Sequence, residues 1–460
     1  MEGADETTRV LVTGASGFIA THIIRQLQEE GYQVRGTLRS LEDKDKVEKL
    51  QTLCPEATFK LELVEADLTK PESWEPAVKD MKYVIHVASP YPVTPPKDDS
   101  EIVTPAVEGT QAILKACVQA KSVKKVVLTS SSVAICYGTA EPGKTYTEED
   151  WMEAEKLDAH GKSKVLAEKA AWEYVKELPD EDKVELAVVN PSYVMGPVLN
   201  GSKCSSMDIV KRLLEHSSMA LPKLNFSVVD VRDVATAHIK AMTTQEASGK
   251  RVLVTNENLW MKEIALILAK EFKSQGYNVP TANYPNAVLS IIGVFDKSVK
   301  MIIPQVNKVV KFDNTKMKEL LGVTPRDLKD TIIDMAYSLI EAGLIKKSKK
   351  YRGPGGNEPE AEEEGEKKEG EGEEEKPKEN GEVKEGVEGE TKEEEGKAEE
   401  KKEEGKEEKG EEKGEEKGEE KDNKEVEKEE GKTEEKTEAG ETKPAEEAKT
   451  EQKEEKKDAE

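Results

Sequence analysis

A doubly wound α/β fold, a parallel sheet between two layers of helix, is predicted for roughly the first 350 residues by three observations. Short apolar runs recur and alternate with helical stretches. A glycine-bearing loop joins the first run to the first helix. The composition then changes abruptly near Pro354, after which aromatic residues cease and Glu, Lys and Gly dominate.

The first run, 9–13, is stopped by Gly14 and reads as a strand buried on both faces. Helical periodicity follows over 18–30 and ends at Gly31. Further strands are expected at 33–38, 60–65, 83–88, 125–129 and 186–190, with helices over 105–120 and 160–177 between them. After Pro197 the alternation weakens and Pro, Ser and Asn become common. The expected organisation is a nucleotide-binding domain over 1–195 with 227–255 returning to it. A smaller substrate lobe is expected from 196–226 and 256–300, and a closing helical segment over 301–352.

The 460 residues carry 70 Lys and Arg against 96 Asp and Glu, for a net charge of −26. Residues 357–460 hold 47 of the acids and 23 Lys, so the rest of the chain is nearly neutral. So polar a segment cannot offset the entropy of its own ordering, and 353–460 is expected to be a disordered acidic tail. Its Gly-Glu-Glu-Lys repeats at Gly410, Gly414 and Gly418 suit either a solubilising bristle or contact with a basic partner. The folded part lacks the basic surplus and aromatic-basic interleaving of a nucleic-acid binder. Cys54, Cys117, Cys136 and Cys204 show neither paired nor metal-ligand spacing, His86, His216 and His238 read as structural, and Glu148, Glu149 and Asp150 before Trp151 read as a solvated loop or helix start. The acidic start lacks a secretory apolar run, and 287–295 is too short to span a membrane. A cytoplasmic location without membrane contact is expected.

Thr13-Gly14-Ala15-Ser16-Gly17-Phe18-Ile19-Ala20 carries the most chemistry. Gly14 and Gly17 permit positive φ and close backbone approach to a pyrophosphate, while Phe18 and Ile19 open a helix whose free N–H groups favour anions. That makes the sheet Rossmann-type. An acid about 20 residues on would take the ribose hydroxyl of NAD, whereas Arg there suits the 2′-phosphate of NADP. This chain has Arg39, with Lys46 as a possible second cation, so NADP is the expected cofactor.

With the later segments added, the chain resembles the dihydroflavonol reductase, cinnamoyl-CoA reductase and carbonyl reductase branch of the extended short-chain dehydrogenases, the epimerase/dehydratase family. The likeness spans residue 8 to about 346. It rests on the loop above and on His86-Val87-Ala88-Ser89-Pro90, Leu128-Thr129-Ser130-Ser131-Ser132, Ser163-Lys164, Leu166-Ala167-Glu168-Lys169 and Asn190-Pro191-Ser192-Tyr193-Val194. Val229-Asp230-Val231-Arg232-Asp233 and Phe312-Asp313-Asn314 extend it.

The resemblance implies that Arg39 and Lys46 hold the 2′-phosphate, Asp67 and Leu68 meet the adenine, Ala88 lies along the cofactor, and Pro191 and Ser192 border the nicotinamide. It also implies an active serine at Ser131, with Ser130 and Ser132 within one register slip, and at Lys164 the lysine that lowers the pKa of the family's Tyr and binds the cofactor ribose. The family's catalytic Tyr is absent: His160 stands four residues before Lys164. A neutral imidazole can donate one N–H, and its unperturbed pKa is about 6.5. Three readings remain: a working histidine-based enzyme, a weak one, and an NADP-binding adaptor without activity. The expected activity is NADPH-dependent reduction of an aldehyde or ketone, with a related epimerase, dehydratase or hydroxysteroid dehydrogenase as the other enzymatic possibility.

Overall fold

The computed structural model describes residues 8–356 apart from 91–95, 139–140, 142, 200, 202–203, 218, 286, 290–293 and 295–301. The expectation of a disordered tail therefore falls, from 357 onward, outside the described residues, as does most of 287–295.

In chain order the strands are β1 (Arg9–Val12), β2 (Gln33–Leu38), β3 (Glu62–Glu65), β4 (Tyr83–His86), β5 (Lys125–Thr129) and β6 (Thr145–Tyr146). They continue with β7 (Glu185–Pro191), β8 (Tyr193–Met195), β9 (Asn225–Asp230), β10 (Arg251–Val254), β11 (Glu257–Trp260) and β12 (Lys311–Phe312). Seven of them form one parallel sheet in the order β10-β7-β5-β4-β1-β2-β3. The order reverses between β1 and β4, which opens a crevice beyond their carboxyl ends.

Alternate residues of each strand face opposite layers. Val10 and Val12 join Ile23, Ile24 and Leu27 of the helix Phe18–Glu29 on one face. Leu11, Val84 and Val126 join Ile113 and Leu114 of the helix Ser100–Ala120 on the other. That helix begins five residues before the position read from sequence and carries Pro105 inside it. The helix Ala159–Glu177 packs beside it.

Of the stretch 227–255, β10 forms the edge of the large sheet, and the helix Val231–Thr243 packs on the helix Phe18–Glu29. Its first residues do not return: β9 lies at the centre of a separate three-stranded sheet, between β8 and β11. The cause is local, because β8 follows β7 after a single residue, Ser192, and leads the chain off the large sheet. A second apolar cluster joins Val210 and Leu213 to Ile264, Leu268 and Phe272, and the helix Leu328–Glu341 closes it through Ile332, Met335 and Ile340. Among the described residues no helix is long and apolar enough to cross a membrane.

Candidate active site

The loop after β1 is shaped by its glycines. Gly14 has φ +68°, and a Cβ there would stand 3.1 Å from the Ala88 Cα. The end of β4 can therefore approach only a glycine. Gly14 N–H donates to the Thr37 hydroxyl, Ala15 N–H to the Thr37 carbonyl, and Gly17 N–H to the Gly14 carbonyl. The N–H groups of Phe18, Ile19 and Ala20 at the helix start remain open, the arrangement that receives an anion. The Phe18 side chain is buried in the second apolar cluster and Ile19 packs on both, so these two offer backbone rather than side chain.

Thr13 ties the loop to β4. Its hydroxyl accepts from the N–H groups of Val87 (3.0 Å) and Ala88 (2.9 Å). With both lone pairs taken, its proton goes to His86 Nδ1 at 2.8 Å. His86 is thus neutral and protonated at Nε2. Its pKa is pushed down to about 3 by burial, with the charge of Lys164 adding.

Arg39 follows β2, is exposed, and makes no ion pair among the described residues. Lys46 is already committed to Asp43, the cap of its own helix, at 3.1 Å. The two cations are therefore not equivalent. Asp67 accepts from the N–H and hydroxyl of Thr69, and the N–H bond leads in holding its carboxyl below the usual range while Arg39 assists. Leu68 is seated on the helix Ser100–Ala120, where a Cβ at Gly109 would meet Leu68 Cδ2 at 2.7 Å.

The three serines after β5 differ in what they touch. Ser130 is buried and donates to Glu168 at 2.5 Å. Ser131 caps the turn Ser132–Ala134 by accepting from Val133 N–H at 3.2 Å, which leaves its own proton available. Ser132 opens that turn. The turn packs on the start of the helix Ala159–Glu177: a Cβ at Gly161 would meet Val133 Cγ1 at 3.2 Å. The Asp158 carboxylate accepts from Gly161 N–H at 2.8 Å and fixes the first turn, which carries His160. Burial lowers the His160 pKa, Lys164 lowers it further, and Asp158 opposes.

Lys164, one turn on, is in the wall of a cavity that also touches His86, Ala88, Ser130, Ser163 and Glu168. The cavity measures about 20 Å³, room for about one water. Burial pushes the Lys164 pKa down to about 8, against the attraction of Glu168. Pro191 ends β7, and the Ser192 hydroxyl beyond it is buried without a hydrogen-bond partner.

Sequence reasoning missed the group behind these residues. Glu168, buried on the helix of Lys164, takes Arg251 Nε at 2.6 Å and Asn190 Nδ2 at 2.9 Å besides Ser130. Asn190 also donates to the Ser131 carbonyl at 3.2 Å, so the group positions the serine turn. Arg251 donates to the carbonyls of Glu148 and Asp150 and stacks 3.7 Å from the Trp151 ring centre. The carboxylates before Trp151, which read as solvated from sequence, therefore need correction at Glu148. It is buried and accepts from Leu253 N–H at 2.9 Å, because β10 leaves that donor facing it. The i, i+4 spacing of Lys164 and Glu168 was the one signal in the sequence.

The sequence profile of the 3-beta hydroxysteroid dehydrogenase/isomerase family matches residues 11–266. The chain belongs to this family. Within this extended short-chain dehydrogenase group it is 33% identical to the NADPH-dependent methylglyoxal reductase of Saccharomyces cerevisiae over 354 residues, 72% of this chain and 98% of that one. It is 35% identical to a cinnamoyl-CoA reductase of Medicago truncatula over 251 residues, 53% and 75% of the two chains. The crystal structure of the yeast methylglyoxal/isovaleraldehyde reductase complexed with NADPH is similar with a TM-score of 0.61 and 32% identity, across 73% of this chain and 99% of that one. This family member is thus an oxidoreductase on a Rossmann-type fold.

Proposed function

We propose that the protein reduces an aldehyde or ketone with NADPH. The observation that carries this reading is that Ala88, which meets Gly14 of the cofactor loop, lines the same cavity as Lys164. The residues present fit the cofactor: Gly14 has the positive φ that the phosphate turn needs, the first-turn N–H groups are open, and the buried Ser192 hydroxyl lacks a partner. Gly14, Gly17, Phe18 and Ile19 would hold the pyrophosphate, Arg39 with Lys46 the 2′-phosphate, Asp67 and Leu68 the adenine end, and Ala88, Pro191 and Ser192 the nicotinamide end. When bound, the cofactor supplies a hydride.

The chain's own groups then act on the carbonyl oxygen. Ser131 directs its unspent hydroxyl proton there, and neutral His160 adds an N–H. Both polarise the bond by stabilising charge that grows on oxygen. The substrate class follows methylglyoxal and isovaleraldehyde, the carbonyl compounds named for the yeast relative. Four free thiols suit the reducing cytosol. The acidic tail takes no part in turnover and is left to solubility or a basic partner.

The test is consumption of NADPH by the full-length protein across a panel of aldehydes and ketones, for the native chain and for His160→Tyr. Native turnover supports the reading, and the tyrosine should raise the rate within the about 10²–10⁴-fold span of general acid catalysis. Inactivity of both, with NADPH still bound, would favour the adaptor that His160 suggests.

A further inference from the structure

We propose that Lys164, rather than His160, delivers the proton to the carbonyl oxygen. This rests on the reductase reading and assigns one of its steps to a residue whose expected role was to tune a tyrosine and bind ribose.

A general acid must hold a proton that it can release near neutrality. His160 is poorly placed for that: burial and Lys164 both disfavour its imidazolium. The neutral ring would have to become an imidazolate to give up its remaining N–H. It can polarise the carbonyl but not protonate it. The Ser131 hydroxyl is too weak an acid for the same task.

Lys164 is differently placed. Its ammonium makes no hydrogen bond or ion pair among the described residues, and it stands in the wall of the cavity. The carboxylate one turn away, Glu168, is spent on Arg251, Ser130 and Asn190. Around Lys164, β4 contributes His86, held neutral by Thr13, and its own helix contributes His160 and Glu168. The lining from β5 (Leu128, Thr129) with Ser130, and from the helix Ser100–Ala120 (Ala106, Thr110), is uncharged. Desolvation therefore outweighs the attraction of Glu168, and the ammonium is acidified to about 8.

The step balances. As the hydride of the reduced nicotinamide bonds to the carbonyl carbon, the C=O π pair moves onto oxygen. The oxygen forms an O–H bond with a proton from Lys164 Nζ, whose N–H bond breaks and leaves a neutral amine. The amine regains a proton from solvent, for which the adjoining cavity has room for one water.

Two measurements on the full chain test this. In the first, acetylation of Lys164 by acetic anhydride is followed by mass spectrometry against pH, without cofactor. The expected midpoint is near 8, against about 10.4 for surface lysines. A midpoint at the surface value overturns the proposal whatever the variants do. In the second, the reduction rate at saturating NADPH is profiled against pH. It should fall above about 8 in the native protein. The same limb should persist at a lower rate in His160→Gln, and also in Tyr137→Phe, which removes the phenol that follows the turn Ser132–Ala134 and feels the charge of Asp158 before His160.

Lys164→Arg keeps the charge but cannot release a proton in this range. It should lose about 10²–10⁴-fold in rate while NADPH affinity, read by cofactor fluorescence, changes far less. A limb that disappears with His160 or Tyr137, or an arginine variant at native rate, overturns the proposal while the reductase reading stands. A native protein that turns over no carbonyl removes both.

Discussion

Replacing Arg251 with methionine removes the cation from a carboxylate that the fold has almost wholly withdrawn from water. Glu168 is 1% exposed and Arg251 8%. Arg251 Nε lies 2.6 Å from one carboxylate oxygen and a second nitrogen 3.4 Å from the other. The variant leaves Glu168 with the Ser130 hydroxyl, the Asn190 amide and the Trp172 indole N–H, but without the cation it pairs with. Breaking one side of such a pair costs about 3–5 kcal/mol. The carbonyls of Glu148 and Asp150 lose a donor as well, which places the cost toward the upper end of that range. For roughly 350 folded residues the unfolding entropy is ~0.7 kcal/mol/K, so Tm should fall by about 4–7 °C. Calorimetry reads this directly. The double variant Glu168→Gln/Arg251→Met, which removes both charges of the pair, should recover part of the loss. An Arg251→Met protein melting within about 1 °C of native, or a double variant no better than the single, would refute the reasoning.

Arg39→Ala should weaken NADPH about 10–100-fold through loss of charge-assisted bonds to phosphate. It should leave NADH unchanged in a fluorescence titration, and equal losses for both would remove the role given to Arg39. Acid should destabilise the fold through its buried histidines. His22, His86 and His238 are pushed down to about 4, 3 and 4 by burial, while Asp233 is lifted to about 6. Between about pH 6 and 4 the unfolded chain gains three imidazole protons that the fold refuses, and the fold keeps one on Asp233 that the unfolded chain releases. The unfolded state thus binds about two more protons, and stability should drop by ~2.7 kcal/mol per pH unit as pH falls through that window. Urea midpoints measured across it give the slope, and a flat profile would contradict the neutral assignment.

The large sheet was legible because strands buried on both faces are nearly continuous apolar runs, as 125–129 and 186–190 are. The three-stranded sheet was not. Asn225-Phe226-Ser227 has no such pattern, and its strand exists through pairing with Asn258, Leu259 and Trp260 of β11 and, further on, with β8. The cofactor loop could be read locally because backbone conformation sets its chemistry, and Gly14 at φ +68° is what such a turn needs. The serines resisted reading for the opposite reason. What separates Ser130 from Ser131 is Glu168, 38 residues from the first, and nothing in a run of three serines reports it. Glu148 was misread likewise, since charge alone does not reveal a backbone donor at Leu253. The start of the helix Ser100–Ala120 was misplaced because Pro105 suits a first turn, yet here lies within the helix.

The central claim is that this chain moves a hydride from NADPH to a carbonyl carbon. The most direct measurement uses NADPH carrying deuterium at the transferable position of the nicotinamide, a single aldehyde substrate and the full-length protein, with the product analysed by mass spectrometry. The account predicts an alcohol with one deuterium on the former carbonyl carbon, formed in step with NADP. Bound NADPH with no alcohol formed across the aldehydes and ketones tried, or an alcohol without the label, would contradict it.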